Sequence, residues 1–194
     1  MPDGYKIKKI YVGEEQVRPR WILPSGYKQV ERIQSDWAQW IDTWYNPTTG
    51  SKAEISYRPV SRFSSKELWI FAIWSGSCRW RAWSTTSGTG DTSYWFTYSP
   101  SFSVGSDVIA TWNYNTSSSY SVYLFAQDEN WTVYHLNQWT QRIYYCKIWT
   151  WDTLVREMYP CYRKSDSVIW MYDIVNDVFY TNSWTWTFTK WWDV

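Results

Sequence analysis

Side chains that alternate with period two constrain this chain more than any other feature. Ala53, Ile55 and Tyr57 alternate with Glu54, Ser56 and Arg58, and Tyr120, Val122, Leu124 and Ala126 alternate with Ser121, Tyr123, Phe125 and Gln127. Successive side chains of an extended strand point to opposite faces, so each run presents two faces rather than the stripe of a helix. No comparable helical stripe occurs. Strand-like runs near 5–12, 28–34, 52–58, 67–74, 78–83, 93–98, 107–114, 120–127, 141–149, 153–159, 168–173 and 177–189 are separated by clusters of Gly, Pro, Asn, Asp and Ser. Many short strands with turn signals between them predict an all-β fold, an antiparallel two-sheet sandwich or a jelly roll.

With 194 residues the chain is long enough for one sizeable core and short for two. Residues 1–22 read as a separate β-arm and linker: KIKKIYV is a strand, GEEQ a turn, and Pro19 and Pro24 stiffen the path into the main domain at 23–194. Such an arm either pairs with its own domain or adds to a partner's sheet. The opening MPDGYKIKKIYVGEEQVRP has no apolar core segment, so no signal peptide is expected. Nineteen basic and 18 acidic side chains leave no field to attract nucleic acid or an anionic membrane. No run approaches the ~18–20 apolar residues of a membrane span, and aromatics at 22% argue against disorder.

Three cysteines without a CxxC pair and a single histidine, His135, argue against a zinc-type metal site. RIYYCKIW (142–149) and TLVREMYPCYR (153–163) flank a polar turn at Asp152, and counting outward sets Cys146 near Cys161. The two are then either a disulfide or reactive pair, or two small buried apolar residues. Pro160 lacks an N–H, which puts that end of its strand at an edge or a bulge.

Composition adds an anomaly. The chain holds 19 Trp and eight Gly; all eight Gly lie at or before position 105, so residues 106–194 carry ten Trp and no Gly. At an average share of about 7%, that stretch should hold roughly six.

At LPSGYKQVERIQSDWAQWIDTWYNPTT (23–49) the chain resembles the opening of a LamG-like, concanavalin-like jelly-roll family of bacterial surface and phage structural proteins. Members begin with an LPSGY-type segment followed by one of the type S-x-G-T-Q-Y-I-D-T-G. The resemblance returns at Tyr123 to Ala126, YYCKIW, LVREMYPCYRKSD and VNDVFYTNSWTWTFTK, is weak between about 60 and 118, and extends to IKKIYVGEEQVRP, which is similar to a leader of phage-type relatives. The family pattern has Gly where this chain has Trp37, Trp44, Trp131, Trp170, Trp184, Trp186 and Trp191, while Trp40 occupies an aromatic position and Trp69 reads as core. Asn130-Trp131 stands where an Asn-Gly hairpin turn would supply positive φ, which a bulky Trp resists. Ser183-Trp184-Thr185-Trp186-Thr187 reads as a plain lead-in once Gly replaces Trp. One expectation is therefore that many Trp arise from UGA codons that the source reads as Gly, with Trp131, Trp184 and Trp186 in exposed turns or strand ends. The other is that the indoles are real and form flat platforms for sugar rings.

A catalytic site finds little support in the sequence. Retaining glycoside hydrolysis needs two carboxyl groups about 5–5.5 Å apart, and no E-x-D-x-E places such a cluster on one strand face. Asp173 and Asp177 are four apart, but Asn176 between them reads as a turn. Ser75-Gly76-Ser77 lacks the context of a nucleophile elbow, and His135 in TVYHLN reads as an ordinary strand residue. Gly88-Thr89-Gly90-Asp91 has no strand-to-helix transition after it, so a plain loop is favoured over a phosphate cradle. The resemblance allows a Ca²⁺ at Gln127 to Asn130, yet Ca²⁺ takes six to eight oxygens from several loops, and a turn explains Asp128 and Asn130 more simply. No other cofactor is expected.

The expected function is a non-catalytic binding or adhesion module of a phage virion (tail, fibre or capsid-associated) or bacterial surface, contacting a glycan or receptor. A purely architectural decoration protein and a glycoside hydrolase are the alternatives. A jelly-roll rim presents loops for binding, and the loops at 89–94 and 113–118 put Thr89, Asp91, Tyr94, Asn113 and Asn115 forward as contacts. Partners through residues 1–22 would be other virion or surface proteins, or further copies of this chain. The absent leader favours a virion protein over a secreted one.

Overall fold

The computed structural model describes residues 23–35, 39–62, 71–75, 78–81, 108–113, 117–129, 132–134, 139–183 and 187–193. Every regular element among them is a strand: β1 (Tyr27–Gln29), β2 (Ile33–Ser35), β3 (Ile41–Asp42), β4 (Ser51–Arg62), β5 (Phe71–Ser75), β6 (Cys78–Arg81), β7 (Val108–Asn113), β8 (Tyr123–Leu124), β9 (Gln127–Glu129), β10 (Thr132–Tyr134), β11 (Trp139–Thr150), β12 (Thr153–Arg163), β13 (Ile169–Asp173), β14 (Val178–Thr181) and β15 (Thr189–Lys190). The all-β expectation holds. Strand pairing is antiparallel throughout except for β5 with β9.

Two sheets result. The larger, of nine strands, runs β14-β13-β12-β11-β2-β15, with β4 and β7 added beyond β11 and β1 beside β12. The smaller, of six, runs β10-β9-β5-β8-β3 with β6 on β5. One apolar cluster joins them: Ile33, Ala53, Ile55, Tyr57, Ile143, Cys146, Ile148 and Met158 from the large sheet meet Ile41 and Leu124 of the small one, closed by Val122, Phe125 and Phe188. Excluding water from both inner faces is what holds two sheets together. Jelly-roll connectivity depends on residues outside those described, as does the arm at 1–22.

Period two is visible in most of β4: Ala53, Ile55 and Tyr57 are fully buried and Glu54 and Arg58 only half-buried, but Ser56, read on the polar face, is buried as well. It fails at 120–127. Residues 121–126 are all buried, β8 is only two residues long, and Phe125 takes φ 67°, which breaks the extended run before β9. Packing on both sides there removes the polar-out half of the pattern. The runs at 28–34 and 177–189 also split, the first into β1 and β2 and the second into β14 and β15.

The hairpin of β11 and β12 corrects the cysteine expectation. Thr150 opposes Thr153, leaving Trp151 and Asp152 as the loop, and that register sets Cys146 opposite Met158. Cys161 lies opposite Trp170 on one side and Gln29 on the other. Three residues past Met158 is about 10 Å along a strand and on the other face, so the two are not neighbours. Both are free and buried. Burial pushes both thiols up, that of Cys161 to about 12. Pro160 is likewise not at an edge. One side of β12 is shared by β11, which pairs up to Met158, and β1, which pairs from Cys161. Pro160 falls in the gap between these partners, its carbonyl accepting from the Val30 N–H at 3.1 Å, so the missing N–H interrupts no ladder.

Candidate functional site

Residues directly opposite one another in a ladder share a face. On the large sheet, Lys147 of β11 stands opposite Glu54 of β4 and Glu157 of β12. Their strand neighbours Ala53, Ile55, Cys146, Ile148 and Met158 point into the apolar cluster, so the charged row lies on the face turned away from the core. Lys147 Nζ is 3.0 Å from Glu157 Oε1, with side-chain exposures of 27% and 12%. The row is sheltered but within reach of solvent.

A second row runs beside it. Tyr145 of β11 and Tyr159 of β12 have ring centres 6.2 Å apart, Tyr159 opposes Tyr172 of β13, and Tyr172 opposes Phe179 of β14. The Tyr172 and Phe179 rings are 4.6 Å apart, and Tyr27 of β1 stacks on Phe179 at 3.8 Å. Hydroxyl groups tie the rows together: Tyr145 donates to Glu54 Oε1 at 2.9 Å and Tyr159 to Glu157 Oε1 at 2.7 Å. Burial, then the Glu157 hydrogen bond and charge, push the Tyr159 phenol well above its ordinary value, so it stays a donor. Lys147 also lies 5.5 Å from the Tyr145 ring centre.

This face carries the tilted, half-buried rings of Tyr145 and Tyr159 beside alternating carboxylate, ammonium and carboxylate, while Tyr172 is buried and Phe179 is covered by Tyr27. Adjacent strands lie about 4.8 Å apart, so Glu54 and Glu157 start about 9.6 Å apart with Lys147 between them. The row also serves the sheet itself, because opposite charges across strands are stabilising.

The residues put forward from sequence are placed differently. Thr89, Asp91, Tyr94 and Asn115 lie outside the described residues, as do His135, the glycine loop at 88–91 and Trp37, Trp69, Trp131, Trp184 and Trp186. Asn113 is described and is not a loop residue: β7 follows β4 from Val108 opposite Tyr57 to Asn113 opposite Lys52. Gln127 to Glu129 form β9, paired with β10 from Glu129 opposite Thr132. Among the described residues, no three of His, Cys, Asp and Glu come together as metal ligands. Asp173 is occupied by the turn after β13: its Oδ1 accepts from the N–H of Glu157 at 2.9 Å and Val175 at 3.0 Å, and Asn176 Nδ2 donates to its Oδ2 at 2.7 Å. Trp40 is buried against Tyr123, ring centres 4.4 Å apart.

The two-row face was missed because it depends on strand pairing. Tyr145-x-Lys147 and Glu157-x-Tyr159 are same-face pairs within one hairpin, but a register displaced by three residues hid that they meet. Counting from the Trp151-Asp152 loop sets Lys147 opposite Arg156; only the bulge at Ile148/Trp149 brings it opposite Glu157, and no local pattern in the sequence marks that bulge. No family model, curated protein or solved structure matches this chain.

Proposed function

We propose that the protein is a non-catalytic binding and adhesion module whose ligand is a glycan, held on the outer face of the large sheet and displayed on a virion or bacterial surface. The observation that carries this reading is the pair Tyr145 and Tyr159, backed by Tyr172 and Phe179 in the same cross-strand row, lying beside Glu54, Lys147 and Glu157. A pyranose presents an apolar face that stacks on an aromatic ring and hydroxyls that pair with carboxylates and ammonium groups. An extended ligand crossing the strands meets both rows at once. The ring row contains only Tyr and Phe, so it stands whether or not individual Trp positions are read as glycine.

The test is a glycan array with the full chain, repeated with Tyr145→Ala and with Glu54→Gln. A defined glycan that binds the parent and loses about tenfold or more in affinity with Tyr145→Ala supports the reading. Glu54→Gln keeps the shape of the face and guards against loss through misfolding. Binding to no glycan, with an unchanged fold, favours the architectural role, whose partners would be met through residues 1–22.

A further inference from the structure

Two tryptophans occupy backbone positions that suit glycine. Trp44 has φ 50° and Trp151 φ 54°, the left-handed region where a Cβ crowds the following carbonyl. Trp44 is the third residue of a turn closed by its own N–H donating to Asp42 Oδ1 at 2.7 Å. Trp151 is the first residue of the two-residue loop between Thr150 and Thr153, its N–H donating to the Gly50 carbonyl at 2.8 Å. Short hairpin loops demand positive φ, and glycine is the residue that supplies it without crowding.

Burial does not account for these placements. Phe125 also has positive φ, at 67°, but is wholly buried in the core, whereas Trp44 is 66% and Trp151 67% exposed. Ser167 and Asp177, the other residues besides glycine with positive φ among the described residues, carry short polar side chains. Trp44 meets the Tyr180 ring edge-on at 5.4 Å. The Trp151 indole lies so close over Gly50 that a Cβ built there would meet it at 2.5 Å. Both positions belong to a chain that has ten Trp and no Gly after residue 105.

We propose that residues 44 and 151 are glycine in the protein as its source makes it, each specified by a UGA codon read there as glycine and here as tryptophan. Position 151 matters most, because backbone conformation alone singles it out. The same criterion leaves Trp40 as a true tryptophan, buried and without positive φ. The coding sequence gives the first test: UGA at 44 and 151 is expected, and UGG at either overturns the assignment there. Tandem mass spectrometry of protein purified from the source gives the second, on the tryptic peptides 33–52 and 148–156. Glycine at 44 and 151 with tryptophan at 40 is the expected result, and tryptophan at 44 and 151 overturns it.

Discussion

Replacing Trp151 with glycine should stabilise the protein, the reverse of what truncating a large aromatic usually does. Left-handed backbone costs a residue with a Cβ about 1–2 kcal/mol, and glycine carries no such cost. The indole is 67% exposed, and compact unfolded chains already cover part of their apolar surface, so little burial is lost. Glycine adds back about 0.5–1 kcal/mol of unfolded-state entropy. The balance is a gain of roughly 0.5–1 kcal/mol, or a rise in Tm of about 1–4 °C for a domain of this size. Trp40→Gly provides the contrast. Its side chain is 8% exposed, and emptying such a site costs about 3–5 kcal/mol, a fall in Tm of about 6–20 °C. Thermal unfolding of parent, Trp151→Gly and Trp40→Gly, followed by circular dichroism, reads both. A fall in Tm for Trp151→Gly comparable to that of Trp40→Gly would refute the reasoning, because it would mean that the exposed indole supplies packing which outweighs the strain.

Three further outcomes follow from the buried polar groups. Asp173→Ala strips two backbone N–H groups and Asn176 of their acceptor and should cost about 3 kcal/mol or more in urea unfolding; a loss under about 1 kcal/mol contradicts its role in the turn. Burial raises the Asp42 carboxyl above its ordinary 3.8, against the lowering effect of the Ser121 and Trp44 hydrogen bonds. A carboxyl raised in the folded state contributes stability that is present below the unfolded value and lost as pH rises through the folded one. The Tm of Asp42→Asn relative to the parent should therefore climb between about pH 3 and pH 7, and a flat or falling difference refutes this. Cys146 and Cys161, buried and with raised thiols, should resist alkylation at pH 8 in the folded protein and react once it is unfolded; rapid labelling of either in the native state, read by peptide mapping, contradicts their placement.

What the sequence revealed and what it hid have the same physical origin. β4 was legible because one of its faces is core and the other is polar, which is when period two is written into the residues. The segment at 121–126 was not, because it is buried on both sides. Equal steps outward from Asp152 lead from Cys146 to Met158, the observed partner, so placing Cys146 near Cys161 is a miscount of three residues; the loop is Trp151-Asp152, and a bulge at Ile148/Trp149 sets the register beyond it. The miscount moved Cys161 toward Cys146 and concealed Tyr145 beside Tyr159. Pro160 reads from sequence as an edge or a bulge, since the gap between β11 and β1 is a property of three strands that no local pattern carries. The aromatic row spans four strands, and its members are distant in the chain. The Gly and Trp imbalance was plain from composition, but Trp151 became an individual candidate only once its backbone angle was known.

The most direct measurement of the central claim is two-dimensional NMR of the full chain with ring-labelled tyrosine and phenylalanine, titrated with the glycan that binds it most tightly on an array. Concerted shifts of Tyr145, Tyr159, Tyr172 and Phe179, with Tyr45 and Tyr57 in the core unmoved, are the predicted result. Binding that leaves those four rings unchanged would contradict the assignment of the ligand to the outer face of the large sheet.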